Sequence, residues 1–385
     1  MTRTALFILG VAAWAVSTST ALHAQQASPT SEVNRRVFDD GPYVLWKDPK
    51  TAVLISHNDG EIIRTVLNDI TTARNVPTPN IHVPMIYLDP GLPAPPASTW
   101  PMPQRLLAIS DLEGNYQACL EFLKGNGVID ADERWSWGDG HLVFDGDIVD
   151  RGDQVTEILW LIHRLEREAK AAGGQVHFVL GNHEAMIMAG DLRYIHPKYN
   201  FITRKLGIPY QTLFGPDTEL GQWFRSRNTI LRIGDYLFVH AGYSPALDAI
   251  GFEPDAINEQ IRATIGGPPP QTRQNDLAQQ LLWHQLGPLW YRGYFDQHAA
   301  NWGGKPTDAQ LASLLKRNDV KHIVVGHTVV KDIGWLDQNK RLLGIDVKWS
   351  KPGEGEGLLV EDGVPHAVDA KGKKRPIKVI QPASR

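Results

Sequence analysis

Short apolar runs recur along the chain, each breaking off into glycine and polar residues. They are Leu106 to Ile109, Leu142 to Phe144, Val176 to Leu180, Leu237 to Val239 and His322 to Val325. Runs of this length, bounded by turn residues, read as strands of a sheet covered on both faces. Between the second and third, Asp153 to Ala172 carries Val155, Ile158, Leu159, Ile162 and Leu165 at helical spacing, and Gly173-Gly174 stops it. Asn115 to Lys124 is a second helix-like stretch. Strands alternating with helices predict an α/β domain.

Upstream the pattern changes. Tyr43 to Trp46 and Val53 to Ile55 are β-prone runs separated by Asp48-Pro49-Lys50 and preceded by Asp39-Asp40-Gly41-Pro42, which predicts a hairpin. Glu61 to Arg74 places Ile62, Ile63, Val66, Leu67 and Ile70 on one helical face, so a helix is expected there. Tyr87 to Pro103 holds Pro90, Pro93, Pro95, Pro96, Pro101 and Pro103 and reads as a linker into the main domain. Residues 25–103 are thus expected to be an N-terminal β/α appendage with its linker, 104–370 the main domain and 371–385 a tail. Aromatic-rich stretches around 191–230 and 250–300, with helical patches such as Asp276 to His284, read as cap insertions. Leu342 to Ala370 reads as strands around Glu361-Asp362-Gly363.

Composition narrows the function classes. Apolar residues make up 42% and charged residues 21% of the 385, ordinary for a globular protein. A net charge of -4 and a pI near 6.4 exclude a basic nucleic-acid binder. Arg3, the apolar stretch Ala5 to Val16 and Leu22-His23-Ala24 have the layout of a secretory signal over 1–24, with cleavage expected after Ala24. That run falls short of the roughly 20 residues that span a bilayer, so the mature protein is expected to carry no span and to be exported, with the periplasm as its address. Residues 25–37 read as a polar lead-in. Cys119 is the sole cysteine, which excludes an internal disulfide and makes it a core residue.

The chemistry sits where the apolar runs end. Leu142 to Phe144 leads into Asp145-Gly146-Asp147-Ile148-Val149-Asp150-Arg151-Gly152, whose glycines permit a tight turn and close approach to something bound. By itself this stretch fits a βα turn capped by Asp as well as it fits a metal site. The other runs end in Asp111-Leu112-Glu113-Gly114-Asn115, Gly181-Asn182-His183-Glu184, His240-Ala241-Gly242 and Gly326-His327-Thr328. Carboxylate, amide and imidazole groups launched from one sheet edge are what two divalent cations need, and the mixture suits Mn, Fe or Zn. A single histidine at a strand end is more often structural; five such ends together favour a metal centre. Ile129 to Glu133 lacks the ligand pattern of a calcium loop and reads as a solvated turn. His141, His163, His177 and His322 read as structural. Trp283, Trp290, Tyr291, Tyr294 and Phe295 suit either a substrate groove or packing of the cap.

Through Gly146-Asp147 to Gly152, Gly181-Asn182-His183-Glu184, His240-Ala241-Gly242 and Gly326-His327-Thr328, the chain resembles the calcineurin-like metallophosphoesterases over roughly residues 104–350. The likeness is greatest to the phosphoprotein phosphatase branch, in particular the bacterial Shewanella-like phosphatases. The resemblance implies a two-sheet sandwich flanked by helices. It also implies a phosphomonoesterase in which metal-bound hydroxide attacks phosphorus in line, without a phosphoenzyme. Asp111 and Glu113 would bind the first metal, Asp147 would bridge, and Asn182, His240 and His327 would complete the second site. His183, held by Asp150, would protonate the leaving group. Arg151 and Arg292 would grip the phosphoryl oxygens.

One position departs from the family pattern: Asp-x-His is replaced by Asp111-Leu112-Glu113. A carboxylate there favours Mn or Mg over Zn and makes bound water less acidic, which predicts a higher pH optimum. Two divalent ions, manganese ahead of iron, zinc or magnesium, are the expected cofactors. The expected substrates are phosphoserine, phosphothreonine or phosphotyrosine in proteins and peptides, or a small phosphoester. Two rival readings are hydrolysis of a dinucleoside polyphosphate or other pyrophosphate, and phosphate binding without turnover.

Overall fold

Val143, Phe144, Leu107 and Phe178 lie on strands buried on both faces, which is why their runs lack polar alternation. A computed structural model describes residues 38–380 apart from 252, 268–280 and 282. The expected signal over 1–24, the lead-in to residue 37 and most of the helical patch at Asp276 to His284 lie outside the described residues.

Two sheets form the body. The first contains β7 (Arg105–Ile109), β8 (His141–Asp145) and β9 (Gln175–Val179) as parallel neighbours, in register through Leu107↔Leu142 and Leu142↔Val176. It continues antiparallel through β15 (Glu356–Glu361), β16 (Val364–Asp369) and β17 (Lys374–Pro376), in the order β17-β16-β15-β7-β8-β9. The second runs β18 (Lys378–Val379), β13 (Gly334–Trp335), β14 (Leu342–Gly344), β12 (His322–Val325), β11 (Tyr236–Val239), β10 (Ile230–Ile233) and β6 (Thr99–Trp100). One apolar core joins them. Across it the indole of Trp100, on the second sheet, meets the edges of His141 and His177 on the first, at 5.6 and 5.3 Å. His177 Nε2 and His141 Nδ1 are 3.1 Å apart, so these histidines have the structural role expected of them.

This corrects one expectation. The five predicted strands are present, but three belong to the first sheet and two to the second, so the polar ends leave two sheets and not one edge. Short apolar runs carry no label for the sheet they join; the choice is made by pairing partners far away in the chain.

Helix α1 (Tyr116–Gly125) buries Cys119, Phe122 and Leu123, and α2 (Val155–Ala171) buries Val155, Ile158, Leu159, Ile162 and Leu165 as the spacing predicts. Helix α3 (Asn182–Ala189) follows β9 directly, the first cap stretch holds α4 (Pro197–Leu206) and α5 (Glu219–Ser226), and the helix Pro254–Thr264 lies in the later insertion.

Among its described residues the N-terminal region holds strands joined by turns, and no helix. The hairpin β1 (Asp40–Asp48) and β2 (Thr51–Asn58) forms as predicted. The helix expected over Glu61 to Arg74 does not. Glu61–Leu67 is β3, paired antiparallel to β2 through Ser56↔Ile63. Asp59 and Gly60 both take positive φ, 50° and 84°, which builds a two-residue type I′ turn between Asn58 and Glu61. That turn and the β-branched run Ile62, Ile63, Thr65 and Val66 outweigh the 3.6-residue spacing, and Val66 stands 58% exposed where a buried helical face was expected.

The proline-rich segment after β4 (Arg74–Pro77) and β5 (Met85–Leu88) is woven into the body and is not a free linker. Arg232 N donates to Ser98 O at 2.7 Å and Gly234 N to Trp100 O at 2.9 Å, so β6 is an edge strand, where prolines on either side do no harm. Residues expected as a tail supply β17 to the first sheet and β18 to the second.

Candidate metal centre and active site

The loops after β7, β8, β9, β11 and β12 meet where the C-terminal ends of the two sheets converge. Asp111 N donates to Gly146 O at 3.0 Å, and Gly326 N to His240 O at 2.8 Å. His183 N donates to Asp147 Oδ1 at 2.9 Å, and His327 N to Asp111 Oδ2 at 3.0 Å. Of twelve described non-glycine residues with positive φ, six are here: Asp111, Glu113, Asp147, Asp150, Arg151 and His327. Such backbone costs of order 1–3 kcal/mol per residue and persists only when its surroundings hold it.

Glu184 holds the Asp147 turn to the start of α3. Its buried carboxylate accepts the backbone N–H groups of Ile148 at 2.8 Å, Asp147 at 3.1 Å, Val149 at 3.3 Å and Gly181 at 2.8 Å. Gly146 and Gly181 are needed for the same approach. A Cβ at Gly146 would stand 2.5 Å from His240 Nδ1, and one at Gly181 would stand 2.2 Å from Asp147 Oδ1.

Asp147, His240 and His327 each place a donor atom within 4.8 Å of the other two, and all three are buried. His240 Nδ1 lies 2.7 Å from the Asp145 carbonyl, to which it donates, and this turns Nε2 toward Asp147 Oδ2 at 3.1 Å and Asn182 Oδ1 at 3.2 Å. His327 Nε2 is buried without a hydrogen-bond partner, and burial pushes its ring well below the ordinary histidine range, toward the neutral form that ligates metal. Two imidazoles, a bridging-type carboxylate and an amide oxygen around one point fit a divalent cation such as Mn, Fe or Zn. Asp111 adjoins the trio, its Oδ2 held by the His327 amide and the Ser110 hydroxyl, and burial pushes its carboxyl up to about 6. The structure pairs Glu113 with Arg151 and does not bring it into the trio.

Beside the trio, His183 Nδ1 lies 2.6 Å from Asp150 Oδ2, and both residues are buried. That bond leaves Nε2 facing the site, 3.7 Å from Asp147 Oδ2. Burial opposes protonation of His183, but Asp147 and Asp150 outweigh it and hold the ring above the ordinary histidine range. Arg151 extends from the same loop with its side chain half exposed. Arg292 reaches in from the cap: its Nη1 donates to His327 O at 2.7 Å and to Thr328 Oγ1 at 3.0 Å. Both arginines therefore flank the trio. Of the aromatic candidates, Tyr291, Tyr294 and Phe295 are buried in cap packing, while Trp290 sets its ring 6.2 Å from His327 at the rim.

Motif reading left several residues without a role. Glu184 stands three residues after the helix-capping Gly181, the position from which a glutamate reaches back to the N-cap amide. Asp145 and Asp346 interrupt apolar surroundings. Asp145 is fully buried with neither carboxylate oxygen partnered, and burial pushes it up to about 8. Asp346, after β14, is buried too, and it acts electrostatically on Asp111, His240, Asp147 and Arg292. Tyr194, between α3 and α4, sets its ring 5.2 Å from that of His183; no local sequence signal marks it.

Comparison with known proteins places the chain among phosphoesterases. The family model described as calcineurin-like phosphoesterase matches residues 104–331. The crystal structure of a cold-active protein-tyrosine phosphatase from a psychrophilic Shewanella species is 34% identical. It covers 88% of this chain and 99% of its own, with a TM-score of 0.78. Shewanella-like protein phosphatase 2 of Arabidopsis thaliana is 28% identical over 299 residues, 66% of this chain and 74% of that protein. A symmetrical bis(5'-nucleosyl)-tetraphosphatase of Methylococcus capsulatus is 33% identical over 148 residues, 37% of this chain and 45% of that enzyme.

Proposed function

The chain belongs to the calcineurin-like phosphoesterase family, and from that premise we propose that this phosphatase hydrolyses phosphomonoesters of proteins or peptides, phosphotyrosine foremost. The observation that carries the reading is the His183–Asp150 pair set beside the Asp147, His240 and His327 trio and flanked by two arginines. A pure phosphate binder has no need of an oriented proton donor. Phosphotyrosine is put first because the Shewanella relative, similar over nearly its whole length, is a protein-tyrosine phosphatase.

Asp147, Asn182, His240 and His327 would hold one divalent ion, and Asp111 with Asp147 the other. Manganese is the ion we propose. Bound there, the two ions supply Lewis acidity and an activated water. Arg151 and Arg292 neutralise the phosphoryl oxygens, and Arg151 exchanges its contact with Glu113 for the substrate. His183 Nε2 delivers the proton to the leaving oxygen while Asp150 fixes the tautomer from the other side of the ring. Glu113 as a ligand of the first site is part of the same proposal, as are export of the chain and cleavage near Ala24. If Glu113→His left both metal preference and pH profile unchanged, Glu113 would not be a ligand.

The deciding experiment is a metal-by-substrate activity screen on the mature protein, with His183→Asn as control. Manganese-stimulated release of phosphate from a phosphotyrosine peptide, lost in the variant, is the expected result. A second reading rests on the tetraphosphatase similarity, which spans less than half of that enzyme. Faster turnover of diadenosine tetraphosphate than of any monoester would favour it.

A further inference from the structure

An aromatic ring stands half exposed at the mouth of a site whose His183, Asp150 and metal-donor trio are buried. Tyr194 is 43% exposed, whereas His183, against which it rests, is 4% exposed. The two ring centroids are 5.2 Å apart with planes tilted by 46°. The guanidinium carbon of Arg151 lies 5.6 Å from the Tyr194 ring. One side chain therefore touches both the group that protonates the leaving oxygen and the group that grips the phosphoryl.

The ring's position is built in by its main chain. Tyr194 O accepts the Arg151 amide at 2.9 Å, so the segment is tied to the phosphate loop independently of the side chain. Arg193 makes a two-armed contact to Asp191, with both nitrogens at 2.8 Å, and sets its own guanidinium 5.5 Å from the Tyr194 ring. Because His183 Nδ1 is occupied by Asp150, the leaving oxygen must lie within hydrogen-bond reach of Nε2. The Tyr194 ring rests against the His183 ring and beside Arg151, so a group attached to that oxygen and leaving past His183 meets it.

We propose that Tyr194 is the platform for the leaving group and selects aryl over alkyl phosphate monoesters. The inference rests on the phosphomonoesterase reading above and deepens it. An aromatic ring joined directly to the ester oxygen packs on Tyr194 edge-on or offset; a seryl methylene offers it little surface.

The test compares two peptides of one sequence carrying phosphotyrosine or phosphoserine, using the manganese-loaded wild type, Tyr194→Phe and Tyr194→Ala. Tyr194→Ala is expected to lower kcat/KM for the phosphotyrosine peptide about 3- to 10-fold, the size of one ring-on-ring contact, mainly through KM. The phosphoserine value should fall less, so that the aryl-to-alkyl ratio drops, and Tyr194→Phe should keep the wild-type ratio. Competition by phenylphosphonate against methylphosphonate reads the same preference at equilibrium, so a variant with slowed chemistry still answers. Equal losses on both esters, or an unchanged aryl-to-alkyl ratio, overturn the role of Tyr194 and leave the phosphatase reading standing. A wild type that hydrolyses neither peptide overturns both.

Discussion

Replacing Asp150 by Asn removes one charge and little else. The amide has the same shape, its oxygen can still accept from His183 Nδ1, and Asn tolerates the positive φ of 72° at this position. What is lost is the carboxylate 2.6 Å from the ring in a buried setting. An opposite charge at about 4 Å between charge centres is worth about 4 kcal/mol at the effective dielectric of a protein site. That is up to about a thousandfold in the protonated share of His183 at a pH above its pKa. The raised pKa means that the donor is present below it and lost as pH rises, so the variant's alkaline limb must move to lower pH. Near neutrality kcat for phenyl phosphate should fall about 100- to 1,000-fold, within the range of general acid catalysis, and that for p-nitrophenyl phosphate less than about tenfold. The assay is a pair of kcat–pH profiles on the two esters. Equal losses on both, with the alkaline limb unmoved, would refute the assignment of Asp150 and His183 as the proton-delivery pair.

Three further predictions concern the groups around the site and the core. Glu184→Ala deprives four backbone N–H groups of their acceptor and should destabilise the fold by on the order of 3 kcal/mol, read as a lowered urea midpoint; Glu184→Gln should recover part of it. Lys198 is buried with its Nζ 3.1 Å from Asp40, 3.4 Å from Glu157 and 2.6 Å from the carbonyl of Asp153, just beyond Arg151. Lys198→Met strands two buried carboxylates and should cost about 3–5 kcal/mol in the same measurement; a loss within error would show that the triad contributes nothing. Burial pushes His177 down to about 3, so the unfolded chain binds its proton first and stability falls as pH drops below 6.5. Between pH 6.5 and 5 this residue should account for about 1.6 kcal/mol of lost stability, which His177→Gln abolishes in urea titrations at the two pH values; an identical acid loss in the variant would assign it to other groups.

The candidate donors were legible in the linear sequence because they are marked by residue type at short spacing. Asp147, Asp150 and Arg151 stand beside Gly146 and Gly152, whose missing side chains let His240 and the Glu113 loop pack against this turn, and Asn182 with His183 follows close on a strand end, so these groups appear as compact motifs. The same holds for the α2 stripe and the hairpin at Asp362-Gly363, where local periodicity or turn chemistry suffices. Other features have no local signature. Ile62 to Leu67 has helical spacing, and only the partner strand and the Asp59-Gly60 turn make it β. Which sheet takes Leu237 to Val239, the docking of Arg292 on His327 and Thr328, and the pairing of Glu113 with Arg151 all depend on residues tens to hundreds of positions apart. Tyr194 meets His183 because a cap segment folds back over a strand end. Donor identity is a property of side chains and can be read in order along the chain. Proximity between remote segments is set by how apolar surface is buried, and only the packed structure decides it.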